Sequence, residues 1–212
     1  MRTVFKRLAE LVATLSMAPC VALCWLGQRV AGPRAFSGWS QAVSLLPGLS
    51  GEYLRRAFYR RVLAGCGPGT VISFGTLFSH ATAEIGANVY IGPFCVLGDV
   101  HISDDCLIGS HVSIANGGRQ HGIDRLDVPV REQPGVWPRI TIGRDTWIGD
   151  RAVVLADVGA QCVVGAGAVV TRPVPDRAIV AGVPARIIGW RGSEPANLAE
   201  DVNNPPQTCG LG

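Results

Sequence analysis

Residues 85–114 read IGANVYIGPFCVLGDVHISDDCLIGSHVSI, and residues 142–170 read IGRDTWIGDRAVVLADVGAQCVVGAGAVV. In both stretches an aliphatic residue recurs about every six positions, and eight of these twelve residues are followed directly by glycine. A period of six matches neither a helix nor a flat strand and is typical of parallel β-helices, in which three short strands make one triangular coil. The sequence therefore predicts a mainly β fold, a parallel β-helix. The twelve aliphatic positions are Ile85, Ile91, Leu97, Ile102, Ile108, Ile114, Ile142, Ile148, Val154, Val158, Val164 and Val170.

The stacked triangular coils form a three-sided prism. Each aliphatic residue is expected to point into this prism and to stack on its counterpart one coil away, because a single coil cannot bury its own face. The period shortens to five between Leu97 and Ile102 and to four between Val154 and Val158, which predicts tightened corners. Upstream, residues 71–81 are expected to form a first, irregular coil. Small or short side chains four positions into the repeat are expected to fill tight places in the wall: Val89, Cys95, Cys106, Val112, Thr146, Ala152, Cys162 and Ala168.

The repeat is interrupted once, over the excursion loop 117–138, which reads GGRQHGIDRLDVPVREQPGVWP. An irregular excursion of this length from a regular fold is usually functional. It holds one histidine, His121, whose imidazole suits general-base chemistry near neutral pH. An exposed loop histidine without a catalytic role is the alternative interpretation.

The N-terminal third differs from the rest of the chain in charge. With 48% hydrophobic and 17% charged residues the chain is not disordered. Residues 1–65 hold nine basic and two acidic side chains, whereas the remainder holds ten basic and fourteen acidic ones. A basic, apolar segment on a mildly acidic body indicates contact with an anionic membrane surface. Nucleic-acid binding is not indicated, since no basic patch carries interleaved aromatic residues.

Residues 11–26, LVATLSMAPCVALCWL, carry no charge and follow Lys6 and Arg7. As a helix they span about 24 Å, less than the roughly 30 Å of a bilayer core. Pro19 is expected to break the helix near its middle. The pattern favours a bent, in-plane anchor, while a single membrane span and simple packing on the protein stay open.

Residues 49–66 predict a basic amphipathic helix capped by Ser50, with Leu54, Phe58 and Val62 on its apolar face. Its arginines are expected to face lipid headgroups, or water if the helix instead caps the end of the main domain, and both can hold at once. The four arginines of the predicted helix 49–66 are Arg55, Arg56, Arg60 and Arg61. The predicted organisation is thus a membrane-associating segment 1–48, a helix 49–66, a β-helix 67–191 and a flexible tail 192–212.

Seven cysteines without a C-x-x-C pair favour a reducing cytoplasm over a disulfide framework.

The segment 138–189, PRITIGRDTWIGDRAVVLADVGAQCVVGAGAVVTRPVPDRAIVAGVPARIIG, contains W-I-G, V-G-A-G-A-V-V-T and A-G-V-P-A-R. With these motifs the chain resembles, over about residues 70–191, the left-handed β-helix acyltransferases of the hexapeptide-repeat superfamily. Within that superfamily it is most similar to the sugar and exopolysaccharide O-acetyltransferases. The resemblance implies a homotrimer, acetyl-CoA as acyl donor, no metal, and a catalytic histidine at the place of His121.

The resemblance also implies which residues bind the two substrates. Asp99 is the candidate for acceptor binding, because it adjoins one of the positions, Gly92 and Val100, where galactoside-type enzymes hold the sugar. His80, His101 and His111 lack the spacing of a zinc-binding histidine set in the same fold. The residues implied to line the coenzyme A groove are Asp150, Ala166, Thr171, Arg172 and Arg186.

Together these features predict an acetyl-CoA-dependent O-acetyltransferase. The expected acceptor is a sugar hydroxyl of a polysaccharide precursor or lipid-linked glycan, and the expected location is the cytoplasmic face of the inner membrane, with the cytoplasm as alternative. An antibiotic O-acetyltransferase and a non-catalytic trimeric β-helix scaffold are the alternative functions.

Overall fold

Three helices precede a stack of short strands. The structure, a computed structural model, describes the backbone of residues 2–192 and the side chains of residues 6–192. Beyond residue 192, the expected tail and Cys209 lie outside the described residues. The helices are α1 (Arg2–Ala31), α2 (Pro33–Ser44) and α3 (Gly48–Val62), and a short 3₁₀ turn, Val130–Glu132, lies within the excursion loop.

The strands are two to five residues long and lie in three sheets. Sheet A contains β1 (Gly65–Cys66), β4 (Glu84–Ile85), β7 (Val100–Ile102) and β10 (Ile140–Ile142). Sheet B contains β2 (Val71–Ile72), β5 (Tyr90–Ile91), β8 (Leu107–Ile108), β11 (Trp147–Ile148), β13 (Val163–Val164), β15 (Ala178–Ala181) and β16 (Arg186–Trp190). Sheet C contains β3 (Leu77–Phe78), β6 (Val96–Leu97), β9 (Ser113–Ile114), β12 (Val153–Val154) and β14 (Val169–Val170).

The chain visits the sheets in the order A, B, C and returns to A one coil further on, so every pairing between coils is parallel. Ile85 pairs with Ile102, which pairs with Ile142, and single bridges continue this line to Val158 and Val174. The tightened corners therefore keep the stack in register. The expected left-handed parallel β-helix with a helical N-terminal segment is confirmed.

The interior of the prism is lined by the predicted residues. All twelve aliphatic repeat positions are at most 3% exposed, and the eight small-residue positions are at most 1% exposed. Complete burial of one aliphatic side chain contributes about 1.5–3 kcal/mol. The repeated column of such residues is therefore the main source of stability.

The first coil departs from the sequence prediction, because β1, β2 and β3 are regular and pair in register with the second coil. Its outer end is covered by α2 and α3. Tyr59 packs on Phe78 with ring centroids 4.8 Å apart, and Ser40 Oγ accepts the backbone N–H of Phe78 at 2.9 Å. The helices thus cover the end of the stack on which no further coil packs, and Ile72 stays fully buried beneath them.

The prediction that all four arginines of α3 face outward is wrong for two of them. Arg55 is 1% exposed and donates through Nε to the carbonyl of Ile72 at 2.7 Å and through Nη1 to that of Leu46. Arg56 is 8% exposed and forms an ion pair with Glu10 at 2.9 Å. These guanidinium groups satisfy carbonyls and a carboxylate at the junction of helices and β-helix, which sequence periodicity does not reveal.

Two further expectations for the helices are corrected. Although Pro19 lacks a backbone N–H, α1 continues through it without a break, because residues on both sides of it, Met17 and Val21, are buried against the other helices. Helix α3 begins at Gly48 after Pro47, so Ser50 lies inside the first turn and is not the N-cap.

The buried guanidinium of Arg55 yields a stability prediction. We expect Arg55→Met to lower the free energy of unfolding by about 3 kcal/mol, because two buried carbonyls lose their donor. Arg61→Met, on an exposed side chain of the same helix, is the matched control and is expected to change it by less than about 0.5 kcal/mol. Urea unfolding followed by circular dichroism measures both, and equal midpoints would contradict the bridging role of Arg55.

Candidate active site

The excursion loop leaves the prism at the edge between sheets C and A, which we call the C/A edge. It follows Ile114 of β9 and returns at Ile140 of β10, which lie on adjacent coils. The other candidate residues lie on this edge or on the edge between sheets B and C, which we call the B/C edge. The candidate residues on the C/A edge therefore lie on the same edge as the loop, and those on the B/C edge do not.

Asn116 fixes the base of the loop. It is 3% exposed, and its side-chain amide donates to the carbonyls of Asp99 at 2.8 Å and Pro138 at 2.9 Å. Its Oδ1 accepts the backbone N–H of Asp99 at 3.1 Å. One side chain thus joins both ends of the loop to the preceding coil.

Arg139, the first residue after the loop, forms a second anchor. Its guanidinium contacts Glu84 Oε1 at 2.7 Å and Asp99 Oδ1 at 3.2 Å, and it donates to the carbonyl of Thr82 at 3.0 Å. The hydrogen bond from Arg139, followed by that from His101, lowers the pKa of the Glu84 carboxyl. The returning strand is thereby tied to the first two coils.

The loop folds back on itself around Gln133, which is 7% exposed. The side chain of Gln133 accepts the backbone N–H of Arg125 and donates to the carbonyls of Arg125 and Val128 at 2.7 and 2.9 Å. The backbone of Gly135 packs so closely on Gln120 that a Cβ would overlap its carbonyl. The return limb therefore lies directly beside the segment that carries His121.

His121 is exposed, and its ring meets that of Trp137 edge to face, with centroids 5.5 Å apart and planes at 81°. Within the described part of the chain its ring nitrogens have no hydrogen-bond partner. The imidazole is thus oriented by an aromatic ring and keeps both nitrogens open to a ligand. This arrangement suits proton transfer with a bound hydroxyl group.

Asp150 and Ala166 occupy equivalent turns of adjacent coils on the B/C edge. On this edge Asp150 Oδ1 accepts the backbone N–H of Ser110, one coil above, at 2.7 Å, and aspartates on the other two edges make the same kind of bond. Below Asp150 the equivalent residue is Ala166, which has no side-chain oxygen. Among the described residues neither the backbone N–H of Asp150 nor that of Ala166 has an acceptor, so both are available to an oxygen atom of a ligand.

Thr171 and Arg172 follow β14 on the C/A edge, two coils beyond the base of the loop, and both are exposed. Arg186 begins β16, pairs with Ala181 and is exposed, and its Nη1 donates to the carbonyl of Ala185 at 2.9 Å. A strand residue advances about 3.3 Å, so the five residues that separate the two edges across sheet C span roughly 16 Å. Within one chain the candidates therefore form two groups, one beside the loop and one across sheet C.

Asp99 lies at the C/A edge, directly at the base of the loop. Its Oδ1 already accepts from Thr82 Oγ1 at 2.9 Å and from Arg139, and its side chain is 23% exposed. Its Oδ2 has no hydrogen bond within the described residues. Asp99 thus has a structural role in the base of the loop, and its Oδ2 is available to a ligand.

The remaining histidines have other neighbours. His80 is hydrogen-bonded to Ser79, His101 to Glu84 at 3.2 Å, and His111 stacks on Phe94 with ring centroids 5.2 Å apart. No three metal-ligating side chains converge among residues 6–192.

Four residues of the site were not recognised from the sequence. Asn116 and Arg139 flank the excursion directly, and their position at its two ends is the signal that could have indicated them. Trp137 and Gln133 show no periodicity that distinguishes them from other loop residues. Their contacts depend on how the two limbs of the loop pair.

Two family models match the repeat. Residues 82–116 match the bacterial transferase hexapeptide model, and residues 139–172 match the hexapeptide repeat of succinyl-transferase. The chain is 39% identical over 140 residues to nodulation protein L of Rhizobium meliloti, covering 62% of this chain and 73% of the relative. It is 30% identical over 141 residues to the galactoside O-acetyltransferase of Escherichia coli, covering 63% and 67%.

The chain belongs to the hexapeptide-repeat acyltransferase family. A solved galactoside acetyltransferase in complex with coenzyme A superposes with a TM-score of 0.64 and 25% identity, covering 75% of this chain and 82% of that one. The chain spans 39%, 67% and 57% of the length of three curated relatives that it matches. The two family models match the repeats on either side of the excursion loop.

The anchor at the base of the loop yields a second prediction. We expect Asn116→Ala to loosen the loop, because both of its ends lose hydrogen bonds worth together about 2–3 kcal/mol. Limited trypsin digestion should then cleave at Arg119, Arg125 or Arg131 at least about tenfold faster than in the wild type. Thr82→Ala removes a single exposed bond to Asp99 and is the control. Unchanged cleavage in Asn116→Ala would contradict this role.

Proposed function

We propose that the protein is an acetyl-CoA-dependent O-acetyltransferase that acts on a sugar hydroxyl group. The observation that carries the proposal is the anchored excursion loop, which presents the open imidazole of His121 beside Trp137 at the C/A edge. Membership of an acyltransferase family and the likeness to a coenzyme A complex support the same chemistry.

In the proposed mechanism a neutral ring nitrogen of His121 accepts the proton of the acceptor hydroxyl as its oxygen attacks the thioester carbonyl. The C–S bond then breaks, the acetyl group stays on the sugar oxygen, and the imidazolium returns the proton to the coenzyme A thiolate. Transfer is direct, with both substrates bound together and without an acyl-enzyme. A backbone N–H group beside the carbonyl would stabilise the oxyanion.

Coenzyme A is proposed to lie along the lower coils. The unpaired N–H groups of Asp150 and Ala166 are suited to oxygen atoms of its amide-bearing arm. Arg172 and Arg186 are exposed cations suited to its phosphates. Thr171 offers a hydroxyl group on the same edge as Arg172. Asp99, through its free oxygen, is the candidate for a sugar hydroxyl.

The separation of the two edges favours an active site shared between chains. The loop that carries His121 begins and ends at the C/A edge, whereas Asp150 lies on the B/C edge. We propose that a second prism brings its B/C edge against the loop. Sheet B carries a column of exposed apolar residues in register, namely Tyr90, Leu107 and Trp147, which are 42%, 51% and 53% exposed. Such a column is typical of a contact surface. We therefore propose a homotrimer with one site at each contact between prisms.

The proposed acceptor is a sugar of a polysaccharide precursor or a lipid-linked glycan. Support comes from the galactoside acetyltransferase relative and from the apolar N-terminal helix, since a small diffusible acceptor requires no membrane contact. A panel of glycosyl acceptors, assayed by release of free coenzyme A thiol, tests this class. The absence of thioester cleavage with every acceptor would favour a non-catalytic scaffold.

The role of His121 gives the third prediction. We expect His121→Ala to lower kcat by about 10²–10⁴-fold, because the attacking hydroxyl loses its base. Binding of coenzyme A, measured by calorimetry, should change little. His80→Ala, on an exposed histidine outside the loop, is the matched control and should retain activity. Unchanged turnover in His121→Ala would refute the proposed base.

The shared site gives the fourth prediction. We expect Leu107→Asp to convert the trimer, three times the 22.3 kDa chain, to monomers, because a carboxylate would be buried in an apolar contact. Activity should fall in parallel. Thr141→Asp, at an exposed position on sheet A, is the control. Light scattering that shows no trimer in the wild type, or a fully active monomer, would contradict a site between chains.

A further inference from the structure

Helix α1 has two apolar faces, and only one of them is covered by protein. Ala13, Met17, Val21 and Cys24 are at most 6% exposed and pack towards α2 and α3. At 100° per residue the opposite face of the helix carries a second apolar stripe. Its residues are 54–81% exposed, and we call them the α1 stripe: Leu8, Leu11, Val12, Leu15, Leu23, Leu26 and Val30.

The charges around the α1 stripe have one sign. Lys6 and Arg7 lie at its beginning, Arg29 and Arg34 lie at its end, and all four are exposed. The single acidic residue of the described helix, Glu10, is neutralised by its ion pair with Arg56 at 2.9 Å. An apolar stripe that ends in cations at both sides complements a bilayer with anionic headgroups.

A groove between α1 and α3 extends the apolar surface. It has a volume of about 340 Å³ and is lined mainly by apolar groups, including Leu8, Val12, Tyr53 and Leu54. Because it opens beside the α1 stripe, it offers space for part of a lipid chain. The apolar surface is thus wider than one helix face.

The packing of α1 indicates its orientation relative to a membrane. The stretch Lys6–Ala31 is long and apolar enough to cross a bilayer, with a mean hydropathy of 1.7. However, its first half is held to α3 by the Glu10–Arg56 ion pair, and its second half touches α2, where a Cβ on Gly27 would lie 3.1 Å from Ala35. Both neighbours pack on the first coil of the β-helix. A membrane-spanning α1 would have to abandon one of these contacts.

We infer that α1 lies in the plane of an anionic bilayer, with the α1 stripe inserted among the acyl chains and the whole β-helix on the same side of the membrane. The protein is then a peripheral membrane protein, and we propose the location expected from its sequence, the cytoplasmic face of the inner membrane. The contact does not depend on the proposed acetyl transfer, and the tests below do not measure activity.

Flotation with vesicles tests the inserted face. The full-length protein is expected to float with phosphatidylglycerol-containing vesicles, and less with phosphatidylcholine alone or at high salt. The double variant Leu11→Glu with Leu15→Glu should lower the partition coefficient by at least about 100-fold, because two exposed leucines no longer enter the bilayer. Ile123→Glu with Leu126→Glu, on two exposed loop residues, is the matched control and should float like the wild type.

Failure to float, or equal flotation of the Leu11 and Leu15 variant, would overturn the proposal. The same variant is measured by light scattering without vesicles. If its oligomeric mass falls below that of the wild type, the α1 stripe is a contact between copies of the chain, which also overturns it.

The sole lysine of the chain, Lys6, tests the in-plane orientation. In sealed inverted membrane vesicles, a membrane-impermeant amine reagent should label Lys6 to within about twofold of its labelling in detergent, because both helix ends face the same side. The labelled peptide is quantified by mass spectrometry. A Lys6 that reacts only after detergent is added would show that α1 crosses the membrane and would overturn the in-plane arrangement.

Discussion

The structure depends on the stacking of aliphatic side chains at the same position of successive coils. A strand of two or three residues makes too few hydrogen bonds to be stable by itself, and its buried side chain gains an apolar neighbour only from the coil above or below. Both ends of the stack would therefore expose apolar residues. At the first end, α2 and α3 cover Ile72 and Phe78. At the other end, β16 turns back antiparallel to β15.

The same stacking explains how a long irregular segment is tolerated. Ile114 and Ile140 lie on adjacent coils at one edge of the prism, so the chain between them can leave and return without disturbing the register. The loop is then ordered by polar contacts, chiefly those of Asn116 at its base and Gln133 in its interior. A rigid support thus carries an exposed imidazole, which is the arrangement that positioned proton transfer requires.

The three faces and the end of the prism differ in chemistry, which assigns them different roles. Sheet A carries a charged network around Glu84, His101 and Arg139 that anchors the loop. Sheet B carries the apolar column proposed to contact another chain, and sheet C separates the two groups of candidate site residues. The apolar helix α1 lies beyond the first coil, on the outer side of α2 and α3. Membrane contact and contact between prisms can therefore occur at the same time.

Sequence periodicity determined the architecture, because a buried position in this fold recurs every six residues and each such position requires an aliphatic or small side chain. It also located the excursion and His121, since an interruption of a regular repeat can be identified directly in the amino-acid sequence. Only tertiary contacts decided three other features. These are the burial of Arg55 and Arg56, the uninterrupted course of α1 through Pro19 and the regular first coil. Tertiary contacts also decided the anchoring of the loop by Asn116 and Arg139 and the separation of the loop base from Asp150 across sheet C. These features depend on which distant segments meet, and a hydrogen bond between residues far apart in the chain leaves no period in the sequence.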